Sequence, residues 1–398
     1  MKAAYIVDIL RTPIGKYGGT LASVRPDDLA AHAIKKLMER NPSIDPKLIE
    51  DVVVGAANQS GEDNRNVARM ALLLAGLPVE IGGVTVNRLC ASGLQAIMDA
   101  SRGIMLSEGE AYIAGGVESM SRAPFVMGKA DEAFARKTEV YDTTLGWRFI
   151  NSKLSKLYHP YSMGETAENV AEKWKISRQA QDEFAVQSQL KYQKAHEAGR
   201  FKEELISVPV QQEKGTISFE KDEHPRVSSI EKLATLKPAF KEGGSVTAGN
   251  SSGINDGAAA SLIVSEDVVK RFNLKPLARI ASVAIAGVDP AYMGIGPVPA
   301  TQKALKRAGL KVGDLGLVEL NEAFASQSLA SIRDLGLNPE TVNVNGGAIA
   351  IGHPLGCSGV RISATLIYEM QKRKVKYGVA TMCIGVGQGA AIVYENLG

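Results

Sequence analysis

Cysteine is scarce in this sequence. Only three cysteines occur among 398 residues, and their odd number and wide separation argue against a disulfide framework. No Cys-x-x-Cys pair and no cluster of histidine and cysteine has the spacing of a zinc site, so we expect no metal. The pattern predicts reduced thiols and a cytoplasmic location.

The sequence also lacks a charge excess and long apolar runs. Lysine and arginine number 46 against 43 acidic residues, which leaves a net charge of +3 and no nucleic-acid-binding footprint. No apolar run reaches membrane-spanning length, and the strand-like N-terminus has no signal-peptide layout. We therefore expect neither a nucleic-acid partner nor a membrane partner.

Glycine is abundant, with 40 residues, and it stands at the ends of apolar segments that read as strands. Strand-like and helix-like segments alternate, which indicates an α/β fold with buried sheets covered by helices. With 45% hydrophobic residues, the chain can bury a large core. Its length predicts two or three domains.

One pattern of segments occurs twice along the chain. The matching pairs are 51–58 with 317–324, 83–87 with 341–345, 111–116 with 379–385, and 256–264 with 390–394. The return strand follows directly in the second copy, but in the first it comes only after a charged, helix-rich stretch. We infer an N-terminal half over 1–268 with a loop domain inserted at about 120–250, and a C-terminal half over 269–398, the two packing against each other.

Cys90 lies between a β-branched run and an amphipathic helical pattern. A helix N-terminus there would favour the thiolate, although the segment alone is equally compatible with a buried structural cysteine. The duplication puts Cys383 at the matching edge of the other half, and this favours a site shared by two thiols. Cys357 has no such counterpart, and we expect it to be structural.

His353 is the one histidine of five that stands among glycines. The glycine and proline on either side hold it rigidly where another backbone can approach, and this favours a functional role. His32 and His196 lie in helical patterns, and His159 and His224 lie in polar loops, so we expect these four to be structural or exposed.

Four segments together resemble the thiolase family: Asn87–Gly93, Asn321–Ala325, Asn345–Gly356 and Cys383–Gly389. They occur in the family's order and at its distances, and the resemblance covers essentially the whole chain. It implies a thiolase-like duplicated αβαβα layered fold with an inserted loop domain. It also implies an acyltransferase that uses coenzyme A as co-substrate and has no tightly bound cofactor.

The resemblance implies a role for each residue of a catalytic set. Cys90 would be the nucleophile that carries the acyl group as a thioester, and His353 would assist its deprotonation. Asn321 would hold a water in one oxyanion site, and the N–H groups of Cys90 and Gly385 would form a second one. Cys383 would be the general acid and base at the α-carbon of acetyl-CoA.

The resemblance also implies a binding set for the CoA thioester. Ser252 would meet the pantetheine arm, and Arg226 would lie near the adenine. The positions expected around the acyl end are apolar: Met163, Phe240, Met293 and Phe324.

Two stretches, 58–70 and 142–150, resemble the 3-oxoadipyl-CoA thiolases of aromatic catabolism. Their substrate ends in a carboxylate, so we expect a cation in the loop domain, with Arg148 and His159 as candidates. Ser162 replaces a histidine of many acetoacetyl-CoA thiolases, which argues against strict acetoacetyl-CoA preference. Val386 interrupts the usual run of three glycines but should leave the Gly385 amide in place.

The C-terminal half is equally similar to the 3-ketoacyl-CoA thiolases of fatty-acid β-oxidation. We favour a broad 3-oxoacyl-CoA thiolase, with a 3-oxoadipyl-CoA or acetoacetyl-CoA thiolase as alternatives. A condensing synthase would lack the cysteine at 383, and a non-catalytic acyl-CoA or lipid-binding relative would lose Cys90 or His353. We expect a homotetramer or homodimer, with tetramer contacts in the inserted region.

Overall fold

The computed structural model describes residues 2–130 and 132–397. The predicted halves and insertion include residues 1, 131 and 398, which lie outside these described ranges. The strands are β1 (Ala4–Arg11), β2 (Gly15–Lys16), β3 (Ile49–Gly55), β4 (Gly82–Val86), β5 (Ala111–Ser119), β6 (Phe125–Met127), β7 (Val140–Asp142), β8 (Val208–Gln212), β9 (Gly215–Phe219), β10 (Asn255–Ser265), β11 (Ala278–Gly287), β12 (Leu317–Leu320), β13 (Tyr377–Ile384) and β14 (Gln388–Asn396).

Helices connect and cover these strands. They are α1 (Pro26–Arg40), α2 (Val67–Leu74), α3 (Ser92–Leu106), α4 (Ser152–Leu157), α5 (Met163–Lys173), α6 (Arg178–Glu197), α7 (Ile230–Ala234), α8 (Glu266–Arg271), α9 (Pro297–Ala308), α10 (Ala325–Leu335), α11 (Ala348–Ile351) and α12 (Leu355–Arg373).

The predicted duplication is visible in the strand order, which is β12-β13-β14-β11-β1-β10-β5-β3-β4. In the first half β1, β10 and β5 pair antiparallel in turn, and β5 then pairs in parallel with β3. In the second half β11, β14 and β13 pair antiparallel in turn, and β13 then pairs in parallel with β12. Thus β3 pairs with β5 in parallel as β12 does with β13, and β5 pairs with β10 as β13 does with β14. Val342 bridges Val318 at the position that β4 takes in the first half. The duplicated α/β fold is confirmed.

The two halves are joined edge to edge, and this is more than the packing that we predicted. Tyr5 of β1 pairs with Arg279 of β11, and Ile6 pairs with Ala278. A sheet edge presents unpaired N–H and C=O groups, and pairing the two edges satisfies them. Periodicity within each half gives no signal for this pairing between the halves.

Helices α3 and α12 form the central layer, where they pack on each other and on the strands. Small residues allow this close approach: a Cβ on Gly93 would lie 2.7 Å from the carbonyl oxygen of Gly356, and one on Gly359 would lie 2.1 Å from the nitrogen of Leu94. The N-termini of α3 and α12 therefore lie side by side. Cys90 precedes the first and His353 precedes the second.

The stretch between β5 and β10 contains β6 to β9 and α4 to α7. A buried ionic cluster fastens it to β1: the Arg11 guanidinium contacts Glu204 at 2.6 Å and Asp222 at 2.7 Å. All three side chains are buried. A guanidinium paired by two hydrogen-bonded carboxylates holds the inserted stretch against the sheet.

Candidate active site

Cys90 follows a sharp turn between β4 and α3. Leu89 has φ +47°, a left-handed conformation that an apolar residue rarely adopts. The turn is fastened by Asn87, whose Oδ1 accepts the Leu89 N–H at 2.8 Å, and by Ser92, whose Oγ accepts the Arg88 N–H at 2.9 Å and donates to the Leu89 carbonyl at 2.7 Å. The turn presents the Cys90 thiol to a cavity at the N-terminus of α3.

The thiol of Cys90 is uncharged in the unliganded protein. Burial raises its pKa to about 11, although the N–H groups of Gly385 and Cys90 itself act in the opposite direction. We predicted that the helix N-terminus would favour the thiolate, but desolvation outweighs the dipole. The N–H groups of Cys90 and Gly385 both point to the sulfur, and their role as a second oxyanion site stays a prediction.

Cys383 lies in β13, two residues before Gly385, and it is buried in an apolar cluster with Met293 and Phe324. Burial raises its pKa, and the nearby Cys90 adds to the rise. The thiol donates to Oε1 of Gln327, a residue of α10, across 3.5 Å. Gln327 was not among the predicted site residues, since a glutamine within a helical pattern carries no distinct signal.

His353 is buried and held from two sides. Its N–H donates to Asn255 Oδ1 at 3.0 Å, and its Nδ1 lies 2.6 Å from Ser358 Oγ. Ser358 donates its single hydroxyl proton to the Pro354 carbonyl at 2.8 Å, so it accepts from Nδ1–H. This arrangement leaves Nε2 without a proton. Neither Asn255 nor Ser358 was among the predicted site residues.

Burial, with a contribution from Arg361, lowers the pKa of His353 to about 3. The imidazole is therefore neutral across the physiological range. An unprotonated Nε2 on a neutral ring can accept a proton from a thiol.

Asn321 lies at the end of β12, where its N–H donates to the Thr381 carbonyl at 3.0 Å. Its Nδ2 lies 3.4 Å from His353 Nε2, and its Oδ1 accepts from Nη2 of Arg361 at 3.4 Å. Arg361 is fully buried, 3.7 Å from Glu319. The guanidinium thus orients the amide so that its N–H₂ points towards His353.

Cys90 opens into a cavity of about 400 Å³. Its lining includes three of the predicted site residues, Cys90, Gly385 and Met163, together with Val386 and Arg148. The guanidinium of Arg148 makes no hydrogen bond or ion pair with residues 2–130 or 132–397. The other predicted cation, His159, is exposed and packs against Tyr161, and it does not line the cavity.

Arg148 lies in a short loop, and hydrogen bonds hold this loop at two points. Trp147 Nε1 donates to the Tyr161 carbonyl at 3.0 Å, and Asn58 Nδ2 donates to the Thr143 carbonyl at 3.1 Å. The unpaired cation is therefore held at the cavity wall by its neighbours.

Of the six predicted CoA-binding residues, Met163 lines this cavity and the other five do not. The Ser252 N–H donates to the Ala323 carbonyl at 3.0 Å, next to Phe324. Arg226 is exposed, and its Nη2 donates to the Ala248 carbonyl at 3.3 Å. Phe240 is half-exposed and meets Phe324 edge to face at 6.1 Å. Met293, by contrast, is buried beside Cys383.

Across residues 2–130 and 132–397, no group of three or more histidine, cysteine, aspartate or glutamate side chains could hold a metal ion. No helix in the same ranges is long and apolar enough to cross a membrane.

Comparisons with known proteins identify the family. The model of the thiolase N-terminal domain matches residues 4–267, and that of the thiolase C-terminal domain matches residues 274–396. The chain is 53% identical over 401 residues to the 3-oxoadipyl-CoA/3-oxo-5,6-dehydrosuberyl-CoA thiolase of Escherichia coli K12, and 53% identical over 399 residues to the beta-ketoadipyl-CoA thiolase of Pseudomonas aeruginosa, covering 100% of both proteins in each comparison.

A solved structure agrees with these matches. Human mitochondrial 3-ketoacyl-CoA thiolase in complex with CoA superposes with a TM-score of 0.92 and 42% identity, over 100% of this chain and 98% of the human one. The chain therefore belongs to the thiolase family, and it is an acyltransferase.

Proposed function

We propose that Cys90 carries the acyl group in this thiolase and that its preferred substrate is a 3-oxoacyl-CoA ending in a carboxylate, 3-oxoadipyl-CoA. The observation that carries the substrate assignment is the unpaired Arg148 in the wall of the Cys90 cavity. The names of the E. coli and P. aeruginosa relatives agree with it.

Thiolysis begins with the uncharged thiol. His353 Nε2 accepts the Cys90 proton, and the sulfur attacks C3 of the 3-oxoacyl chain. The N–H groups of Cys90 and Gly385 and the amide of Asn321 are the candidate donors to the oxygens that gain negative charge. The C2–C3 bond then breaks and leaves an acyl-enzyme and the enolate of acetyl-CoA.

Cys383 completes the cycle in this proposal. Its thiol gives a proton to the α-carbon of the enolate, and the resulting thiolate takes the proton of an incoming CoA thiol. The CoA sulfur attacks the acyl-enzyme, and the Cys90 sulfur leaves and recovers its proton from His353. The reverse sequence is the Claisen condensation, so one set of residues serves both directions.

Arg148 supplies recognition of the far end of the acyl chain. A partly buried guanidinium can form a paired hydrogen bond with a carboxylate, and neither a 3-oxohexanoyl nor an acetoacetyl chain offers one. An interaction with a charged group contributes about 1.5–3 kcal/mol, which corresponds to a preference of about 10- to 100-fold.

Replacing Arg148 by methionine tests the substrate assignment. We expect R148M to lower kcat/KM for 3-oxoadipyl-CoA by about 10- to 100-fold and to leave kcat/KM for 3-oxohexanoyl-CoA within threefold, about 0.7 kcal/mol. Lys156, an exposed residue of α4, provides the matched control, and K156M should change neither value. Equal losses for both substrates in R148M would contradict the assignment.

We also propose coenzyme A as co-substrate without a tightly bound cofactor. Its pantetheine arm would pass Ser252 and its adenine would lie near Arg226, whose exposure leaves it accessible. Met163, Phe240, Met293 and Phe324 would surround the reacting end. The three free thiols support a reducing, cytoplasmic environment. Calorimetric titration of CoA into R226A and S252A would test the binding set, and unchanged affinity in both would refute it.

A homotetramer or homodimer is our proposal for the assembly. Exposed apolar side chains are frequent in the inserted stretch, where Phe125, Met127 and Leu157 are more than half exposed. Strand β4 also ends the sheet. We propose the domain division at about residue 268, which the mirrored strand order supports. Light scattering of wild type and L157D would test the assembly, and a monomeric wild type would refute it.

A further inference from the structure

Val386 has a backbone conformation that disfavours its side chain. Its φ is +63°, in the left-handed region where a β-branched residue is an outlier. It lies in the three-residue turn between β13 and β14, after Gly385. Conformations of this kind persist only where the surroundings impose them, and they often accompany function.

The surroundings impose this turn through Gly387. That residue has φ +80°, and a Cβ on it would lie 2.3 Å from the carbonyl oxygen of Val288. The Gly387 carbonyl also accepts the Val288 N–H at 2.8 Å. The contacts of Gly387 with Val288 thus fix the turn. At position 386, glycine or asparagine would adopt the required backbone conformation with less strain than valine.

Packing in the core does not account for the valine, because 42% of Val386 is exposed. Its side chain instead lines the Cys90 cavity. The space beside the preceding residue is tight, because a Cβ on Gly385 would lie 3.1 Å from Leu89 Cδ1 and 3.5 Å from Met163 Sδ.

We propose that Val386 is a specificity-determining residue, whose side chain closes one wall of the Cys90 cavity and limits the size of the acyl chain. This inference rests on the proposed function in that the acyl chain occupies this cavity. It concerns the bulk of the chain, whereas Arg148 concerns its terminal charge. The strained backbone is the cost of placing an apolar group at this point.

Three substitutions separate bulk from strain. V386G removes both, V386A removes most of the bulk but retains a Cβ, and V386N retains the bulk in a residue that tolerates the left-handed region. Lys374 supplies a control, since it has φ +55° and ends α12 at an exposed position outside the cavity lining. K374G therefore relieves the same conformation without touching the cavity.

The measurements are Tm and the ratio of kcat/KM for 3-oxododecanoyl-CoA to that for 3-oxohexanoyl-CoA. We expect V386G and V386A to raise this ratio about tenfold and V386N and K374G to leave it within twofold. V386N should raise Tm by about 1–2 °C, and V386A should not. An unchanged ratio in both V386G and V386A, or an equal rise in V386N, would overturn the proposal.

The acyl chains of both substrates in this ratio are uncharged. A failure of the carboxylate preference therefore appears in the comparison of 3-oxoadipyl-CoA with 3-oxohexanoyl-CoA and leaves this ratio untouched. Conversely, Arg148 can govern the charged substrate even if the Val386 variants show no change.

Discussion

The guanidinium of Arg88 donates from Nη1 to Oε1 of Gln388 across 2.9 Å. Arg88 stands two residues before Cys90, and Gln388 follows the turn that carries Gly385. The bond therefore joins the turn that carries Cys90 in one half of the chain to the turn that carries Gly385 in the other. Arg88 is fixed in addition by Gln95 Oε1, which its Nε reaches at 2.7 Å.

Loss of this bond should loosen the alignment of Cys90 with the Gly385 N–H. Q388A removes the acceptor of a charged donor, and a hydrogen bond of this kind contributes about 1.5–3 kcal/mol. If about half of this energy aligns the site, kcat should fall about tenfold, with KM changed less than twofold, about 0.4 kcal/mol. Steady-state kinetics with 3-oxohexanoyl-CoA would measure this. Q388E keeps the acceptor and should retain most of the activity. A loss in Q388E equal to that in Q388A would argue against the bond.

The pH dependence of Cys90 alkylation follows from the uncharged resting pair. With a thiol pKa of about 11 and a His353 pKa of about 3, the reactive thiolate fraction rises through the whole range from pH 7 to 10. We expect the iodoacetamide rate to rise about tenfold per pH unit there. C383S identifies the signal of Cys90 by mass spectrometry. A plateau at neutral pH would reveal a preformed thiolate–imidazolium pair instead.

Ser358 acts as a positioning residue for His353. Without its oxygen the Nδ1–H loses its partner, and Nε2 is no longer held as the unprotonated nitrogen. We expect S358A to lower kcat about 10- to 100-fold while KM stays nearly constant, because a hydrogen bond to the imidazolium that His353 forms in the proposed mechanism contributes about 1.5–3 kcal/mol. S358T should restore most of kcat. Unchanged kcat in S358A would show that the tautomer is set by other contacts.

Glu319 should make the protein less stable as pH rises. Burial raises its pKa to about 8, above its ordinary value, so the folded state binds more protons than the unfolded state between about pH 4.5 and 8. The free energy of unfolding therefore falls with increasing pH in this window.

The substitution E319Q removes that titration. Between pH 5.5 and 8, the free energy of unfolding of wild type should fall by up to about 3 kcal/mol more than that of E319Q. Urea unfolding at each pH would measure this difference. The buried Glu118, whose pKa is raised by burial to about 7, titrates in both proteins and cancels in the comparison. Parallel pH profiles would show that Glu319 is ionised throughout, paired with Arg361.

The duplication could be predicted because each half repeats the same order of apolar strands and glycine turns. The pairing of Tyr5 with Arg279 could not, because a sheet edge has the same alternation whether or not it is paired. Nor did sequence reveal that burial would leave Cys90 and Cys383 protonated. Proximity of a helix N-terminus is visible in a pattern of residues, whereas the solvent excluded around a sulfur depends on the folded packing.

The motifs of the candidate site could be predicted from the sequence, but the residues that position their side chains could not. Ser358 and Gln327 are polar positions within helical patterns. Gln327 meets Cys383 from a distant part of the chain, and Ser358 meets His353 only because the chain turns sharply before α12. Arg148 was recognised as a candidate cation only together with His159. The choice between them depends on which side chain faces the cavity, and this follows from the bonds of Trp147 and Asn58.

The antiparallel join of β1 and β11 has a consequence for how the enzyme becomes active during synthesis. Strand β1 leaves the ribosome first, yet its partners β10 and β11 are made far later in the chain. Cys90 likewise waits for Gly385, which lies between the last two strands. A nascent chain thus holds the proposed nucleophile without the proposed oxyanion donor, and folding through such distant pairings is intrinsically slow. In the proposed mechanism, acyl transfer begins only once the hairpin of β13 and β14 has closed.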